Sequence, residues 1–211
     1  TNANNFLIDN CVFDGGYYGA YFYGGSSSSG TWPSNNTITN CTFQNWYYYG
    51  VYTYYQNNMT IDRNTWNAAN TGLQYDYSAM IYYTNTYTFT NNVFNETGGY
   101  AMRFYRCNYY NTVSGQFLIA NNAVNGLTYR WSSTYTSLSA FQTGSSTNAN
   151  SQEADPSFVA ANDLHVNGAN LYNMGTPNAL INVDVDGTTR SATTPSHGIH
   201  EFTPPANDAG T

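Results

Sequence analysis

The side chains that could perform acid–base chemistry are few in the first 131 residues of this chain. Hydrolysis of a glycosidic bond requires two facing carboxylates, either roughly 5 or roughly 6.5 to 9.5 Å apart, and a lyase requires an Arg or Lys base beside a cation. The acidic residues of this part are Asp9, Asp14, Asp62, Asp76 and Glu96. Asp9 and Asp62 occupy equivalent positions of a short repeat, but two repeats apart, which is roughly 10 Å at the usual strand spacing. The sequence therefore predicts no catalytic residue.

The segment "DVDGTTR" carries Asp184 and Asp186, two carboxylates that a calcium loop could use. It lacks the third ligand and the bidentate ligand that such loops need. We therefore interpret it as an Asp-Gly turn in which one aspartate pairs with Arg190. The histidines are interpreted as packing or hydrogen-bonding residues: His165, His197 and His200. The sequence predicts neither a metal ion nor a cofactor.

The three cysteines, Cys11, Cys41 and Cys107, form neither a Cys-x-x-Cys motif nor a Cys/His cluster with metal-ligand spacing. Cys11 and Cys41 occupy the same position of neighbouring repeats, where the distance is compatible with a disulfide. Side chains of neighbouring parallel strands point the same way, however, so a stack of buried thiols is the preferred interpretation.

Tyrosine occurs 22 times, and its spacing indicates a surface. Tyrosines alternate with inward residues in phrases such as "YGAYFY" and "YGVYTY", so that they form outward columns. The candidate binding residues are Tyr21, Tyr23, Tyr52, Tyr54, Arg103 and Tyr105. Such strips stack on sugar rings or pack against another protein, whereas ladders of identical side chains can also simply stabilise a fold. The sequence leaves these three interpretations open.

The charge balance argues against a nucleic-acid partner. The formal net charge is −7, and the only basic residues are five Arg, so no basic patch is available to neutralise phosphates. No run of about 18 apolar residues is present to span a bilayer. The opening "TNANNFLIDN" lacks both Met and a secretion signal, so we expect a piece of a larger protein. The low charge and abundant Tyr favour an extracellular or cell-surface location.

A repeated phrase indicates the elements that position these residues, as in "NTITNCTFQN", "MTIDRNTWN" and "YTFTNNVFN". Its central apolar residue recurs at steps of 30, 23, 28 and 30 residues: Ile8, Ile38, Ile61, Phe89 and Ile119. Three residues later is a thiol or amide position that fits a bend with left-handed dihedrals: Cys11, Cys41, Asn64, Asn92 and Asn122. Two residues further is a large apolar position: Phe13, Phe43, Trp66, Phe94 and Val124.

A second set of phrases follows in each repeat: "YGAYFY", "YGVYTY", "TGLQYD", "YAMRFY" and "NGLTYR". The predicted inward residues are Ala20, Val51, Leu73, Met102 and Leu127, and then Phe22, Thr53, Tyr75, Phe104 and Tyr129. Short alternating strands with this period, and no helical pattern between them, predict an all-β parallel β-helix of about five coils over residues 5–131. The segments "GGSSSSGTWPS" and "DYSAMIYYTN" are predicted to be loops or extra strand segments that bulge from coils one and three.

Three segments are predicted: β-helix coils over 1–131, a C-terminal module over 132–205, and a linker to a following domain over 206–211. In the module, "TSLSAFQ" predicts one short helix, and the remainder indicates brief strands and turns. Coil one begins without a capping helix, so its edge would present unpaired strand groups. We expect earlier coils or another copy of the chain to cover that edge.

The phrases of the C-terminal module resemble the terminal module of right-handed parallel β-helix repeat proteins, "ADPxF", "DLHL", "SPAID", "DIDGxxR" and "IGADEF" in order. The corresponding segments are "ADPSF" (154–158), "DLHV" (163–166), "ANLYNMG" (169–175), "DVDGTTR" (184–190) and "HGIHEF" (197–202). The "RSATTP" and "SLSAFQTG" phrases are similar to those of very large surface proteins exported by the type IX route. The acid of "SPAID" is absent here, and His200 replaces the first Asp of "IGADEF".

Two functional hypotheses follow from these residues and from the resemblance. The first is a non-catalytic structural or adhesive segment of a large extracellular bacterial adhesin or filament, whose Tyr-rich face contacts protein or a target surface. The second is a β-helix that binds carbohydrate or degrades polysaccharide. Expected partners are other copies or neighbouring domains of the same protein, or cell-surface glycans. The residues assigned structural roles are Cys11, Cys41, Asn64, Asn92, Asn122, Asp184, Asp186 and Arg190.

Overall fold

The computed structural model describes residues 3–25, 32–68, 76–96, 98–105, 112–113, 117–120, 128–130, 133–145, 150–153 and 155–203. Residues 112–113, 117–120 and 128–130 are described by their backbone alone. Across these residues the chain winds through five successive coils of parallel strands and then returns along their side.

Each coil consists of three short strands separated by bends. Coil one contains β1 (Leu7–Asp9), β2 (Val12–Asp14) and β3 (Tyr18–Tyr23). Coil two contains β4 (Thr37–Thr39), β5 (Thr42–Gln44) and the first half of β6 (Tyr49–Asp62). The rest of β6, β7 (Thr65–Ala68) and the first half of β8 (Tyr77–Thr90) form coil three. The rest of β8, β9 (Val93–Glu96) and β10 (Tyr100–Tyr105) form coil four, and β11 (Thr112–Val113), β12 (Phe117–Ala120) and β13 (Thr128–Arg130) form coil five.

Equivalent strands of successive coils pair in parallel, so that each inward side chain lies above its counterpart. Ile38 pairs with Ile8 on one side and with Ile61 on the other. The large apolar column is Phe13, Phe43, Trp66 and Phe94, with successive ring centroids 4.7, 5.0 and 4.6 Å apart. These stacked rings are the centre of the core, because aromatic side chains bury more apolar area than any others. Both predicted columns are confirmed through coil four, and with them the all-β parallel β-helix.

Coil three uses a different segment from the predicted one. β8 begins at Tyr77, and its Ala79 lies opposite Val51 of β6. The prediction that "DYSAMIYYTN" bulges from this coil is therefore wrong, because most of that segment is the central strand of the sheet. Leu73 and Tyr75, which were assigned to the inward columns, lie outside the described residues.

A column of small residues explains why coil three was assigned to the wrong segment. The members of this column are Gly19, Gly50, Ser78 and Ala101. A Cβ atom added at Gly50 would lie 2.8 Å from the Trp66 side chain, so the indole ring requires a small neighbour. Ser78 is small without being Gly, and the phrase therefore does not match the "YG" pattern of coils one and two.

The first two strands of coil five, β11 and β12, are aligned six residues earlier than predicted. Val113, rather than Ile119, pairs with Phe89 of coil four. In β13 the shift has the opposite direction. Tyr129 pairs with Met102 of coil four, whereas the prediction paired Tyr129 with Phe104. The repeat before this coil is therefore shorter than the repeated phrases indicate. The prediction chose Ile119 because an apolar residue there satisfies the period-two pattern as well as Val113 does.

The thiol and amide column forms a ladder of hydrogen bonds inside the bend. The Asn92 side-chain oxygen accepts the backbone N–H of Asn64 at 3.0 Å, and the Asn64 side-chain oxygen accepts the backbone N–H of Cys41 at 3.0 Å. Cys11 and Cys41 are free thiols, the first exposed and the second buried. Cys11 is exposed because coil one has no described neighbour on its outer side, and Asn122 lies outside the described residues.

The left-handed backbone conformation lies one residue before this ladder, and not on it as predicted. The φ angles are 53° at Asn10, 50° at Asn40, 58° at Arg63 and 56° at Asn91. Asn tolerates this region better than most residues, because its short polar side chain can hydrogen-bond locally. We call these four residues the corner row.

The two ends of the β-helix differ. At coil one, Leu7 and Val12 are 62% and 70% exposed. The other end is covered by β14 (Thr134–Tyr135), α1 (Leu138–Ser145) and β15 (Gln152–Glu153). Phe141 of α1 is fully buried and stacks on Phe104 of coil four. The short helix predicted in "TSLSAFQ" is therefore confirmed, and it closes the core at that end.

The C-terminal module lies along the side of the β-helix, against the corner row. Its elements are β16 (Phe158–Ala160), β17 (Asp163–Val166) and a 3-10 helix (Ala169–Leu171), and the two strands pair antiparallel. Asn40 donates from Nδ2 to the Val183 carbonyl at 3.2 Å, while Arg63 and Asn91 donate to the Thr176 carbonyl at 2.9 and 3.0 Å. The bends of coils two to four thus provide the surface on which the module rests.

Candidate functional site

The outer sides of β3, β6, β8 and β10 carry three aromatic columns. The parallel register places Tyr18, Tyr49, Tyr77 and Tyr100 in the first column; Tyr21, Tyr52, Met80 and Arg103 in the second; and Tyr23, Tyr54, Tyr82 and Tyr105 in the third. We call these twelve residues the tyrosine face. All six candidate binding residues predicted from the sequence lie on it.

The third column is the most regular. Successive rings from Tyr23 through Tyr54 and Tyr82 to Tyr105 have centroids 5.4, 4.8 and 5.0 Å apart and interplanar angles of 9°, 14° and 9°. The sequence argument missed Tyr82 because it assigned coil three to the wrong segment. The alternation in "AMIYY", which repeats that of "AYFY", was the signal that could have found it.

The second column changes character along the helix. Tyr21 and Tyr52 stack with centroids 4.8 Å apart, and the buried Met80 then ends the stack. Arg103 follows, with its guanidinium carbon 4.8 Å from the Tyr105 ring centroid and 5.6 Å from that of Tyr77. This arrangement is a cation–π contact, which attracts a cation to the ring by its quadrupole.

Stacking determines which part of each ring is available to a partner. Carbon atoms of neighbouring rings are in contact at about 3.5 to 4.0 Å, so a third ring cannot enter between rings spaced about 5 Å apart. Most of each ring face is therefore covered by the next coil, while ring edges and hydroxyls point outward. Tyr21 and Tyr23 of coil one are 46% and 57% exposed and carry the largest free areas.

The face is weakly charged. Burial raises the pKa of the Tyr52 hydroxyl, and the neighbouring hydroxyls of Tyr21 and Tyr54 raise it further. Burial also raises the pKa of the Tyr49 hydroxyl. These two phenols therefore stay neutral near pH 7, and the described residues of the face include no carboxylate and a single cation, Arg103. This neutral surface contrasts with the net charge of −7 of the chain.

Two buried carboxylates lie inside the β-helix and not on this face. Glu96 accepts hydrogen bonds from Ser78 Oγ at 2.8 Å and from the Gly99 N–H at 3.0 Å, and Asp76 accepts one from Trp46 Nε1 at 2.7 Å. Burial, followed by the nearby Asp76, raises the pKa of Glu96 to about 8. Both carboxylates are at most 1% exposed, so they stabilise the turn and have no access to a polymeric substrate.

Asp9 and Asp62 occupy one column, as the repeat predicts, with Thr39 of coil two between them. Asp62 is fully buried and forms an ion pair with Arg63 at 2.5 Å. It also accepts hydrogen bonds from Thr90, Asn91 and Asn178. With its oxygens bonded within the interface between the coils and the C-terminal module, Asp62 cannot face Asp9 across a substrate.

The "DVDG" segment forms a hydrogen-bonded turn. Asp184 Oδ1 accepts the backbone N–H groups of Asp186 and Thr188 at 2.9 and 2.7 Å. The Asp186 carboxylate lies 3.0 Å from His165 Nε2. Within the described part of the chain, no group of three His, Cys, Asp or Glu side chains could hold a metal ion. Each aspartate therefore has a partner inside the module itself.

The predicted pairing of Arg190 with Asp184 or Asp186 is wrong, because its guanidinium has other partners. Its Nη2 donates to the Asn40 side-chain oxygen at 2.9 Å and to the Gly198 carbonyl at 3.0 Å, and its Nη1 lies 3.8 Å from Glu201. Desolvation lowers the pKa of Arg190 to about 10. A local pairing was predicted because no motif indicates that the module rests on the corner row.

Comparison with known proteins agrees with this architecture. A family model described as "Right handed beta helix region" matches residues 1–152, and the chain belongs to that family. The family contains both enzymes and non-enzymes. The match therefore indicates a structural or polysaccharide-related β-helix protein. No curated protein and no solved structure matches the chain. Among the described residues, no helix is long and apolar enough to cross a membrane.

Proposed function

We propose that this chain is a non-catalytic structural and adhesive segment of a large extracellular bacterial surface protein. In this proposal, the tyrosine face makes contact with another protein surface, either a further copy of the chain or a neighbouring domain. The β-helix serves as the rigid support that holds the three columns in register.

The observation that carries this proposal is the stacking of the tyrosine columns. A neutral aromatic strip that presents ring edges and hydroxyls offers apolar area and hydrogen bonds at low entropic cost, which suits protein contacts. The four in-register rings of the third column are half-exposed or exposed. The neighbouring carboxylates Asp76 and Glu96 are both buried, so the surface supports binding better than cleavage.

The C-terminal phrases support the extracellular setting. "ADPSF", "DLHV", "DVDGTTR" and "HGIHEF" follow one another in the order typical of the terminal module of β-helix repeat proteins in type IX-secreted adhesins and filaments. The structure gives several of these residues interior roles, since Asp184 shapes a turn and Arg190 reaches Asn40 of the β-helix. Such roles are those of a module that terminates a β-helix.

The alternative is a carbohydrate-binding or polysaccharide-degrading β-helix, and one observation favours it. The upper faces of Tyr21 and Tyr23, at coil one, are not covered by a further described ring, and free aromatic faces stack on sugars. This alternative predicts binding at the end of the columns and not along their length.

Sedimentation velocity, glycan-array binding and assays for reducing ends and unsaturated products test the two functions together. We expect concentration-dependent association or cell-surface binding that is lost in the double variant Tyr23→Thr, Tyr54→Thr. The variant Met174→Thr removes a half-exposed apolar side chain from the C-terminal module and should leave it unchanged. A monodisperse monomer that binds no cell surface would contradict the proposal. Glycan binding or cleavage would establish the alternative.

A further inference from the structure

The parallel register brings phenol rings of neighbouring coils into repeated contact. Four successive pairs have centroids between 4.8 and 5.4 Å apart and nearly parallel planes: Tyr21–Tyr52, Tyr23–Tyr54, Tyr54–Tyr82 and Tyr82–Tyr105. The two rings of each pair are stacked in van der Waals contact. The ring carbons beside each hydroxyl-bearing carbon therefore lie close to the partner ring. Such pairs are arranged for bond formation between rings.

Access for an oxidant is greatest at coil one. Tyr21 and Tyr23 are 46% and 57% exposed, and their partners Tyr52 and Tyr54 are half-buried. The first column differs, because Tyr49 and Tyr77 are 8% and 1% exposed. An enzyme or radical in solution therefore reaches the second and third columns and not the middle of the first.

We propose that the second and third columns are an oxidative modification site, at which hydrogen peroxide and a haem peroxidase join tyrosines of neighbouring coils as dityrosine. Each of two phenols loses one electron and one proton to give a phenoxyl radical. The two radicals couple through the ring carbons next to the hydroxyl-bearing carbons, and the hydrogens on those carbons move to the oxygens. One carbon–carbon bond forms, and hydrogen peroxide takes up two electrons and two protons to give two water molecules.

The geometry favours coupling within one chain. A partner ring held in contact has an effective concentration far above that of a second molecule in dilute solution. Rotation of exposed side chains takes picoseconds to nanoseconds, so the rings can turn into the bonding orientation without unfolding of the coils. The bonds tie coil one to coil two, coil two to coil three and coil three to coil four, and they oppose separation of the coils.

The test treats the folded chain, at low micromolar concentration, with hydrogen peroxide and a haem peroxidase. We expect dityrosine fluorescence, a monomer that loses two hydrogen atoms per bond, and cross-linked peptides that map to the four pairs. The variant Tyr52→Phe, Tyr54→Phe, Tyr105→Phe keeps the stacked rings but leaves no two adjacent phenols in the second or third column. It should form about tenfold less dityrosine within these two columns, because each remaining tyrosine has lost its stacked partner phenol.

A matched control loses the same number of phenols elsewhere: Tyr47→Phe, Tyr135→Phe and Tyr172→Phe. Its yield of dityrosine within these columns should stay within about twofold of the unmodified chain, since the columns are intact. Circular dichroism identifies any variant that has not folded, and the peptide map of the unmodified chain remains decisive in that case. Dityrosine that forms only between chains, or that maps outside the two columns, overturns the proposal, as does an equal yield from both variants.

Discussion

Arg190 donates from Nη2 to the side-chain oxygen of Asn40, a residue 150 positions earlier in the chain, at 2.9 Å. The bond joins the "DVDG" turn of the C-terminal module to the bend of coil two. Asn40 also donates to the Val183 carbonyl. This left-handed Asn therefore accepts one hydrogen bond from the module and donates another to it. The corner row is therefore both the bend of the β-helix and the docking surface of the module.

Replacement of Arg190 by Met should lower the free energy of unfolding by about 3 kcal/mol, because the remaining buried polar groups lose a charged partner. The groups left behind include the Asn40 side-chain oxygen and the Gly198 carbonyl. Urea unfolding followed by circular dichroism measures the change. The exposed Thr189→Ala serves as the control on the same turn, and equal midpoints for the two variants would show that the guanidinium does not anchor the module.

Replacement of Asn64 by Ala should cost about 2 kcal/mol, because it leaves buried backbone groups without partners. The Cys41 N–H would lose its acceptor, and the Ile38 and Asp62 carbonyls would lose a donor. Asn57→Ala, at an exposed position of β6, is the matched control. The amide ladder would lose its assigned role if both variants melted at the temperature of the unmodified chain.

Glu96 makes the stability of the folded chain sensitive to alkaline pH. Its pKa is raised from 4.5 to about 8 in the folded chain. The protonated group therefore contributes its full stabilisation below about pH 4.5, and this stabilisation is lost as the pH rises through 8. Glu96→Gln keeps an acceptor for the Gly99 N–H, replaces the oxygen that accepts from Ser78 Oγ by an amide group that can donate to it, and cannot ionise. We expect the variant to lose less stability than the unmodified chain between pH 5.5 and pH 8.5.

Urea midpoints at these two pH values measure the difference. Glu153→Gln changes an exposed carboxylate and should retain the pH response of the unmodified chain. Histidine titration contributes equally to all three proteins, since none of the variants alters a histidine contact. Parallel responses in the Glu96 variant and the unmodified chain would contradict the assignment.

The two described thiols should differ in reactivity. Burial raises the pKa of Cys41 to about 12, whereas Cys11 is exposed. In a Cys107→Ser background at pH 8, a thiol reagent should modify Cys11 rapidly and Cys41 only after denaturation, since the thiolate is the reactive form. Two fast thiols would contradict the burial of Cys41. The absence of any reactive thiol before reduction would instead indicate a disulfide between them.

The sequence was sufficient for the parts of the fold that local pattern controls. The columns of Ile38 and Phe43 follow from apolar residues at fixed steps, because a coil that repeats in register must place like side chains on each other. Six residues of the tyrosine face followed from the same argument. Tyr82 did not, because Ser78 occupies the small-residue position that Gly marks in coils one and two, and either candidate segment satisfied the alternation.

The position of the C-terminal module was beyond this kind of argument. Its contacts join residues far apart in sequence, such as Asn178 and Asp62, which lie 116 positions apart. The corner row, three of whose four residues are Asn, was not singled out in the sequence, because the left-handed bend was predicted one residue later. Arg63, the exception in that row, was the single residue whose size exceeds what a bend requires, and its guanidinium reaches the module at Thr176.

The lateral position of the module has a mechanical consequence. Thr176 and Gly198 lie beside coils three and four, and Val183 and Val185 lie beside coils two and one. Tension applied at residue 203 is therefore distributed across several bends at once, in shear. If coils instead separated one after another from an end, only one coil–coil interface would resist the tension at a time. A segment built in this way is suited to bear load in a direction that an isolated β-helix would not withstand.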